Sequence, residues 1–145
     1  MIVIPDPTKS IEEQTSSVLK RMLIYGEARN QSNAGKLAVL YVAHNRSVKL
    51  DIPISSAILI HNQFSCFNIS DPNRSKLMTA HKDDPLTWII CHTVCNMFDL
   101  GLTKDPTYGS LNYYNPNISS PSWGKDKNPK WKQLAVIDNH IFGVA

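Results

Sequence analysis

From Leu37 to Ala43 the chain reads Leu-Ala-Val-Leu-Tyr-Val-Ala, without a charged or amide side chain, inside a stretch from Ala34 to Asn45 that reads as a helix. A helix with almost no polar face is stable in water only when other elements cover it on every side. The run is far too short to cross a bilayer, so the chain has to supply that cover itself. With 145 residues it has material for one such core and not for two. No internal repeat, low-complexity tract or Gly/Ser linker divides it. A single domain over 1–145, built around a buried central helix, is the expectation.

The remaining elements follow from local punctuation. Ser10-Ile-Glu-Glu13 is a capping box, and Ile11, Val18, Leu19, Met22 and Leu23 continue from it at helical spacing to an end near Gly26 to Arg29. Pro53 followed by Ile54 to Ile60 predicts a short helix, and Arg74 to His81 another. The best-marked helix is Asp84 to Leu100, with Asp84 as N-cap, Pro85 in the first turn and Gly101 as the stop. Its expected apolar stripe is Leu86, Ile89, Ile90, Val94, Met97 and Phe98. Turn-rich sequence follows from Lys104 to Pro129, and two strand-like pieces, Leu111 to Asn115 and His140 to Val144, lie within or after it. The fold class is α+β, mainly helical with a small β element near the C-terminus.

Charge and cysteine usage narrow the partners. Fifteen basic against 12 acidic side chains give a net charge of +3, too mild for the dense basic footprint of a nucleic-acid binder. Three cysteines cannot all pair, and none sits in a CxxC or Cys/His frame. They read as reduced thiols in a chain made in a cytoplasm. Met1 to Pro7 lacks the basic start and apolar core of a signal peptide. No membrane insertion is expected, and a monomer is.

Glutamate is scarce: Glu12, Glu13 and Glu27 are the whole set. The first two sit in an opening helical turn, where acids complement the macrodipole. Glu27 follows Leu23 by four residues and Leu19 by eight, which places it at the border of a buried stripe and at the negative end of its helix. Both circumstances favour a protonated carboxyl, which is what a general acid requires. An ion pair with Arg29 or a lysine is the plain alternative.

Other chemistry is weaker. Trp88, Cys91, His92 and Cys95 form a second helical stripe, either a metal face or simply buried core. His44, His61, His81 and His140 make no metal-binding frame, and Ser65 lacks a nucleophile elbow. No metal or cofactor is called for. Lys125, Lys127, Lys130 and Lys132, interleaved with Trp123 and Trp131, form either a solvated loop or a contact for an anionic polymer. Gln63-Phe-Ser-Cys-Phe67 and Leu111-Asn-Tyr-Tyr-Asn-Pro116 join aromatic faces to amides and hydroxyls, as carbohydrate sites do.

In order, Ile24-Tyr-Gly-Glu-Ala-Arg29, Gly35-Lys-Leu-Ala-Val39 leading to Asn45-Arg46, Gln63-Phe-Ser-Cys-Phe-Asn68, Asp105-Pro-Thr-Tyr-Gly109, Tyr113-Tyr-Asn-Pro116 and Asn139-His-Ile-Phe142 resemble the SleB-like cell-wall hydrolases, the spore cortex-lytic enzymes. The resemblance covers roughly Leu23 to Phe142. It implies a lysozyme-like domain that cleaves the glycan strand of peptidoglycan as a lytic transglycosylase, with Glu27 as catalytic acid/base. Gln63, Phe64, Ser65, Tyr113, Tyr114 and Asn115 are then expected to bind substrate around it. Where the family often has Gly-Glu after its Gly-Glu-Ala-Arg motif, this chain has Asn30-Gln31.

The mechanism so implied cleaves the bond between N-acetylmuramic acid and N-acetylglucosamine and leaves a 1,6-anhydro end. A lysozyme-type muramidase is the near alternative; it would want a second carboxyl, for which Asp51, Asp71 and Asp138 are candidates. A zinc amidase and a non-catalytic wall-binding module are the alternatives of other classes. A catalytic domain without a signal peptide resembles a phage endolysin, which acts on the host wall after the membrane has been permeabilised.

Overall fold

The apolar run is covered as its composition requires. In the computed structural model, which describes residues 1–60 and 62–145, it lies in helix α2 (Asn33–Leu50). His61, one of the histidines weighed above, falls outside the described residues. Ser32 caps α2, its hydroxyl accepting from the Gly35 N–H at 3.1 Å. Ala38, Val39, Leu40, Val42 and Ala43 are fully buried. Packed around α2 are α1 (Ser16–Ala28), α3 (Ile54–Leu59), α5 (Pro85–Asp99) and two strands of a sheet. A one-turn helix, α4 (Ala80–Asp83), leads into α5. The sheet is antiparallel, in the order β1 (Asn112–Tyr114), β3 (His140–Val144), β2 (Lys132–Ile137). The α+β architecture, mainly helical with its β element near the C-terminus, is the one expected.

Several local expectations are corrected. The capping box exists, Glu13 Oε1 accepting from the Ser10 N–H and hydroxyl, yet it opens only a 3₁₀ turn, Ile11–Glu13. The chain turns extended at Gln14, whose buried amide bonds to the backbone of Asp6, Lys9 and Ser10. Helix α1 then starts afresh, with Thr15 as its cap. Arg74 to His81 is not one helix but a 3₁₀ turn, Arg74–Lys76, followed by α4. Asp84 stands at the N-cap of α5 without capping it; its carboxylate instead accepts from the Tyr25 hydroxyl at 3.4 Å.

Strand β2 was not foreseen, because Lys132–Ile137 follows directly on the turn-rich stretch. Its signal was Leu134-Ala-Val-Ile137 before a two-residue turn, in which Asp138 adopts the left-handed φ of 51° typical of tight hairpins. That turn also docks on α2: Asp138 Oδ2 accepts from the Ser32 N–H at 2.9 Å and hydroxyl at 2.7 Å. A Cβ at position 35 would stand 2.4 Å from the same oxygen, so the close approach needs Gly35.

Helix α5 turns inward a different stripe from the one expected; of the expected stripe, Val94 is buried and Phe98 packs partly against the core. Trp88, Cys91, Val94 and Cys95 face the core, while Leu86, Ile89, Ile90 and Met97 are exposed. The second stripe is therefore core and not a metal face. Its polar member explains the choice of side: His92 Nδ1 accepts from Arg21 Nε at 3.0 Å, and Asn96 Oδ1 accepts from Arg21 Nη2 at 2.9 Å. Burial and the Arg21 charge both hold His92 below its usual pKa, which keeps it neutral as an acceptor.

Cys66, Cys91 and Cys95 are buried and unpaired, and burial pushes the Cys91 and Cys95 thiols up to about 12. The native protein should therefore leave all three unmodified by a disulfide reagent at pH 8, and denaturation should release three reactive thiols. Titration in non-reducing buffer, with and without denaturant, checks this; a native-state modification faster than unfolding would contradict the burial.

Candidate active site

Helix α1 ends one residue after Glu27, which leaves the glutamate half-buried at the helix's C-terminal turn. The preceding residue has no side chain for a steric reason. A Cβ on Gly26 would lie 2.5 Å from Cys66 Sγ and 2.7 Å from Cys66 Cβ, so only glycine lets the 3₁₀ turn Ser65–Phe67 press against α1. From that turn the Cys66 N–H donates to Glu27 Oε2 at 3.2 Å, and the Ser65 hydroxyl approaches the same oxygen at 3.4 Å. The other oxygen, Oε1, accepts a hydrogen bond from the Tyr113 hydroxyl on β1. A helix end, a turn and a strand thus converge on one carboxyl group.

Tyr113 is itself fixed by aromatic packing. Its ring stacks on Phe142 at 5.5 Å and meets His140 edge-on at 4.9 Å, both from β3. Burial and the neighbouring Glu27 raise its phenol well above the ordinary value, so it remains a donor throughout the neutral range. Burial lowers the pKa of His140, while Glu27 and Asp138 pull it the other way. The Arg46 guanidinium lies 4.7 Å over the Phe64 ring, and its Nε donates to Leu111 O at 2.6 Å.

The Asp105–Gly109 segment anchors this end of the sheet. Asp105 accepts from the Thr107 N–H and hydroxyl, the Gly109 N–H and the Asn45 amide. Asn45 also donates to Ser110 O at 3.0 Å. The loop is thereby tied to α2, immediately before β1 delivers Tyr113.

The structure brings together only part of the expected set. Ser65 and Tyr113 touch Glu27. Gln63 is exposed and lines a neighbouring cavity with Arg46. Phe64 does not line an open groove: it is 1% exposed, beneath Arg46. Tyr114 is corrected too, because strand alternation sends it to the opposite face from Tyr113. There it packs against Trp123 at 5.6 Å and Trp131 at 5.8 Å. Asn115 closes a turn by accepting from the Asn117 N–H.

Cys66, Arg46 and His140 are the site neighbours that sequence reasoning left unassigned. All three lie within quoted motifs, but nothing in residue type marks a backbone N–H, a ring-covering guanidinium or a buried imidazole as part of the site. The proposed second carboxyls have local duties: Asp138 holds Ser32, the N-cap of α2, Asp71 accepts from the Asn73 N–H at 2.8 Å, and Asp51 ends α2 at φ 53°. The Arg29 guanidinium turns away from Glu27 to bond Asn73 Oδ1 and lie 5.2 Å over Tyr25. The Gln31 backbone carbonyl accepts from the buried Lys36 ammonium at 2.6 Å.

A mainly helical domain with a short C-terminal sheet and one glutamate clamped between them is the class of protein that this fold and site define. The chain belongs to the Cell Wall Hydrolase family, whose model matches residues 30–143. That stretch begins just beyond Glu27, so the case for the glutamate rests on the contacts described above. Among solved structures, the chain resembles the catalytic domain of the germination-specific lytic transglycosylase SleB from Bacillus anthracis. The TM-score is 0.65 at 21% identity, covering 95% of this chain and 98% of that one. The catalytic domain of the Bacillus cereus SleB protein is similar, with a TM-score of 0.60 at 22% identity over 89% and 91% of the two chains. At these identities the likeness establishes the fold. No curated protein matches the sequence significantly.

Two substitutions test the clamp. Gly26→Ala forces a Cβ into Cys66 and should cost roughly 1–3 kcal/mol as an overpacked contact, with activity lost in parallel. Adding Cys66→Ala removes the nearer sulfur clash and should restore part of the melting temperature. Tyr113→Phe should instead leave the melting temperature near that of the wild type while lowering kcat, because packing survives and only the donor to Glu27 is lost. Thermal melts and initial rates on purified peptidoglycan read both.

Proposed function

We propose that this protein cleaves the N-acetylmuramic acid–N-acetylglucosamine bond of peptidoglycan as a lytic transglycosylase, with Glu27 as its acid and base. The observation that carries this reading is the clamp on Glu27: one carboxyl at a helix end, held by Tyr113 on one oxygen and by the Cys66 N–H on the other. Membership of a cell-wall hydrolase family supports the substrate class, and the matched SleB domain is described as a lytic transglycosylase.

In the proposed cycle Glu27 delivers its proton to the glycosidic oxygen as the C1–O bond breaks, so the leaving sugar departs as an alcohol. The substrate's own 2-acetamido oxygen stabilises the oxocarbenium-like centre, as in substrate-assisted glycosidases. The Glu27 carboxylate then takes the proton of the muramic acid 6-hydroxyl while that oxygen closes on C1. The product is a 1,6-anhydro sugar, and Glu27 ends protonated, as it began. No water enters, so no second carboxylate is required. The buried phenol of Tyr113 keeps the carboxyl aimed through both steps without itself exchanging a proton.

We propose further that the chain is made in a cytoplasm and reaches the wall through a separate membrane lesion, as endolysins do. Its three unpaired, buried cysteines agree with a reducing site of synthesis.

Glu27→Gln preserves size and removes the transferable proton. Its amide oxygen can still accept from the Cys66 N–H, while its NH₂ must face Tyr113, whose hydroxyl has to turn round to accept. General acid–base catalysis contributes about 10²–10⁴-fold, so the variant should lose at least that much activity while remaining folded, with a melting temperature close to that of the wild type. Mass spectrometry of wild-type digests should show muropeptides one water lighter than lysozyme products, with no new reducing ends. A folded and active Glu27→Gln protein would reject the mechanism; reducing-end products would reject the transglycosylase half and leave a muramidase.

A further inference from the structure

Next to the clamp lies a polar feature that the acid–base cycle does not use. A cavity of about 260 Å³ opens between the end of α2, the residues before the Ser65–Phe67 turn and the start of β1. Its polar lining is Arg46, Lys49, Gln63 and Asn112, and Leu50 and Leu111 form apolar wall. None of its described lining residues is acidic. Two cations in a concave, partly apolar wall concentrate positive potential there.

Arg46 links this cavity to the catalytic centre. Its charge is felt by Tyr113 and Glu27, and the ring it covers, Phe64, packs at 6.4 Å from Tyr113. One of its donors, Nε, is used by Leu111 O. The buried Nη1 has no acceptor among the described residues. Nη1 is closed off from solvent, so a ligand in the cavity meets the Arg46 charge and reaches this donor only when the residues over it shift.

We infer that this cavity is a subsite for a carboxylate carried by the muramic acid side of the substrate, an inference that rests on the peptidoglycan reading above and deepens it. Muramic acid differs from glucosamine by a lactyl ether, whose carboxyl is either free or extended by a stem peptide. A guanidinium presents a planar set of donors matched to a carboxylate, and Lys49 adds a second, solvent-facing charge. Gln63 and Asn112 supply amides for neighbouring hydroxyl or peptide groups. Leu50 and Leu111 accommodate methyl groups. The competing account makes Lys49 a complement to the α2 dipole and Arg46 a strut under Leu111, and it expects no discrimination between charged and neutral substrates.

The test compares glycan strands stripped of their peptides, which bear free lactyl carboxylates, with the same strands after those carboxylates are converted to methylamides. Wild-type kcat/KM should be at least about tenfold higher on the charged strands, as expected for a hydrogen bond between charged partners. Lys49→Glu should narrow that ratio about two- to fivefold, the range for an exposed charge. Lys49 is solvent-exposed, so this variant avoids disturbing the Arg46–Leu111 contact. Strands with intact stems, compared before and after amidation of the stem carboxylates, show whether the lactyl or the peptide carboxylate is the one bound.

A measurement independent of catalysis accompanies the rates. In an NMR titration with N-acetylmuramic acid, the side-chain amides of Gln63 and Asn112 should shift, and they should shift less with its neutral methylamide. Equal rates on charged and neutral strands, or equal shifts with acid and amide, would overturn the subsite while leaving the anhydro-product test of Glu27 untouched. An active Glu27→Gln protein would overturn the mechanism while leaving the titration readable.

Discussion

Everything else in this molecule is arranged by the need to cover α2. A helix whose middle carries Ala38, Val39, Leu40, Val42 and Ala43 at zero exposure has no side to present to water, so α1, α3, α5 and the sheet close around it. The cover brings charge into the interior. Lys36 is buried, yet its ammonium donates to Arg29 O and Gln31 O, carbonyls at the negative end of α1. Arg21 is buried without a carboxylate partner, and neutral acceptors take its donors: Ser17, His92 and Asn96. Both cations are held by dipoles, which satisfies them without burying an opposing charge.

The same packing assembles the site. Because α1 lies across α2, its C-terminal turn points Glu27 toward the sheet, and Asn45 and Arg46 on α2 hold the segment that enters β1. Gly26 admits the turn that supplies the Cys66 N–H. Three elements remote in sequence therefore meet at one carboxyl, and each is secured by core contacts rather than by the carboxyl itself. Such rigidity suits the role proposed for Glu27, giving a proton to one oxygen and taking one from another without moving far.

Legibility in the sequence followed the range of the interaction. The central helix, α3, α5 and strands β1 and β3 were readable because their signals, periodicity and punctuation, act over a few residues. Glu27 stands out in the sequence by its position at a stripe border and by the order of the surrounding motifs, and the structure places it half-buried at the end of α1. The α5 stripe was legible only in part: Val94 and Phe98 of the expected face turn inward, while Leu86, Ile89, Ile90 and Met97, as apolar as Trp88, Cys91 and Cys95, stay exposed. The face that turns inward is the one on which Arg21 of α1 reaches His92 and Asn96, contacts that periodicity does not reveal. Strand β2 was hidden by the preceding turns until pairing with β3 gave its residues a partner.

Local sequence alone thus determined a wrapped central helix, a C-terminal β element and a single unassigned glutamate at a helix end. Only the tertiary structure decided which residues surround that glutamate. Tyr113 faces it while Tyr114 turns to Trp123 and Trp131, because neighbouring residues on a strand point to opposite sides. Phe64 became the floor under Arg46, and a backbone N–H at Cys66 became a ligand of the carboxyl. The physical reason is that periodicity and caps are written in neighbouring residues, whereas strand facing, close approach and hydrogen-bond partners depend on where distant segments come to rest.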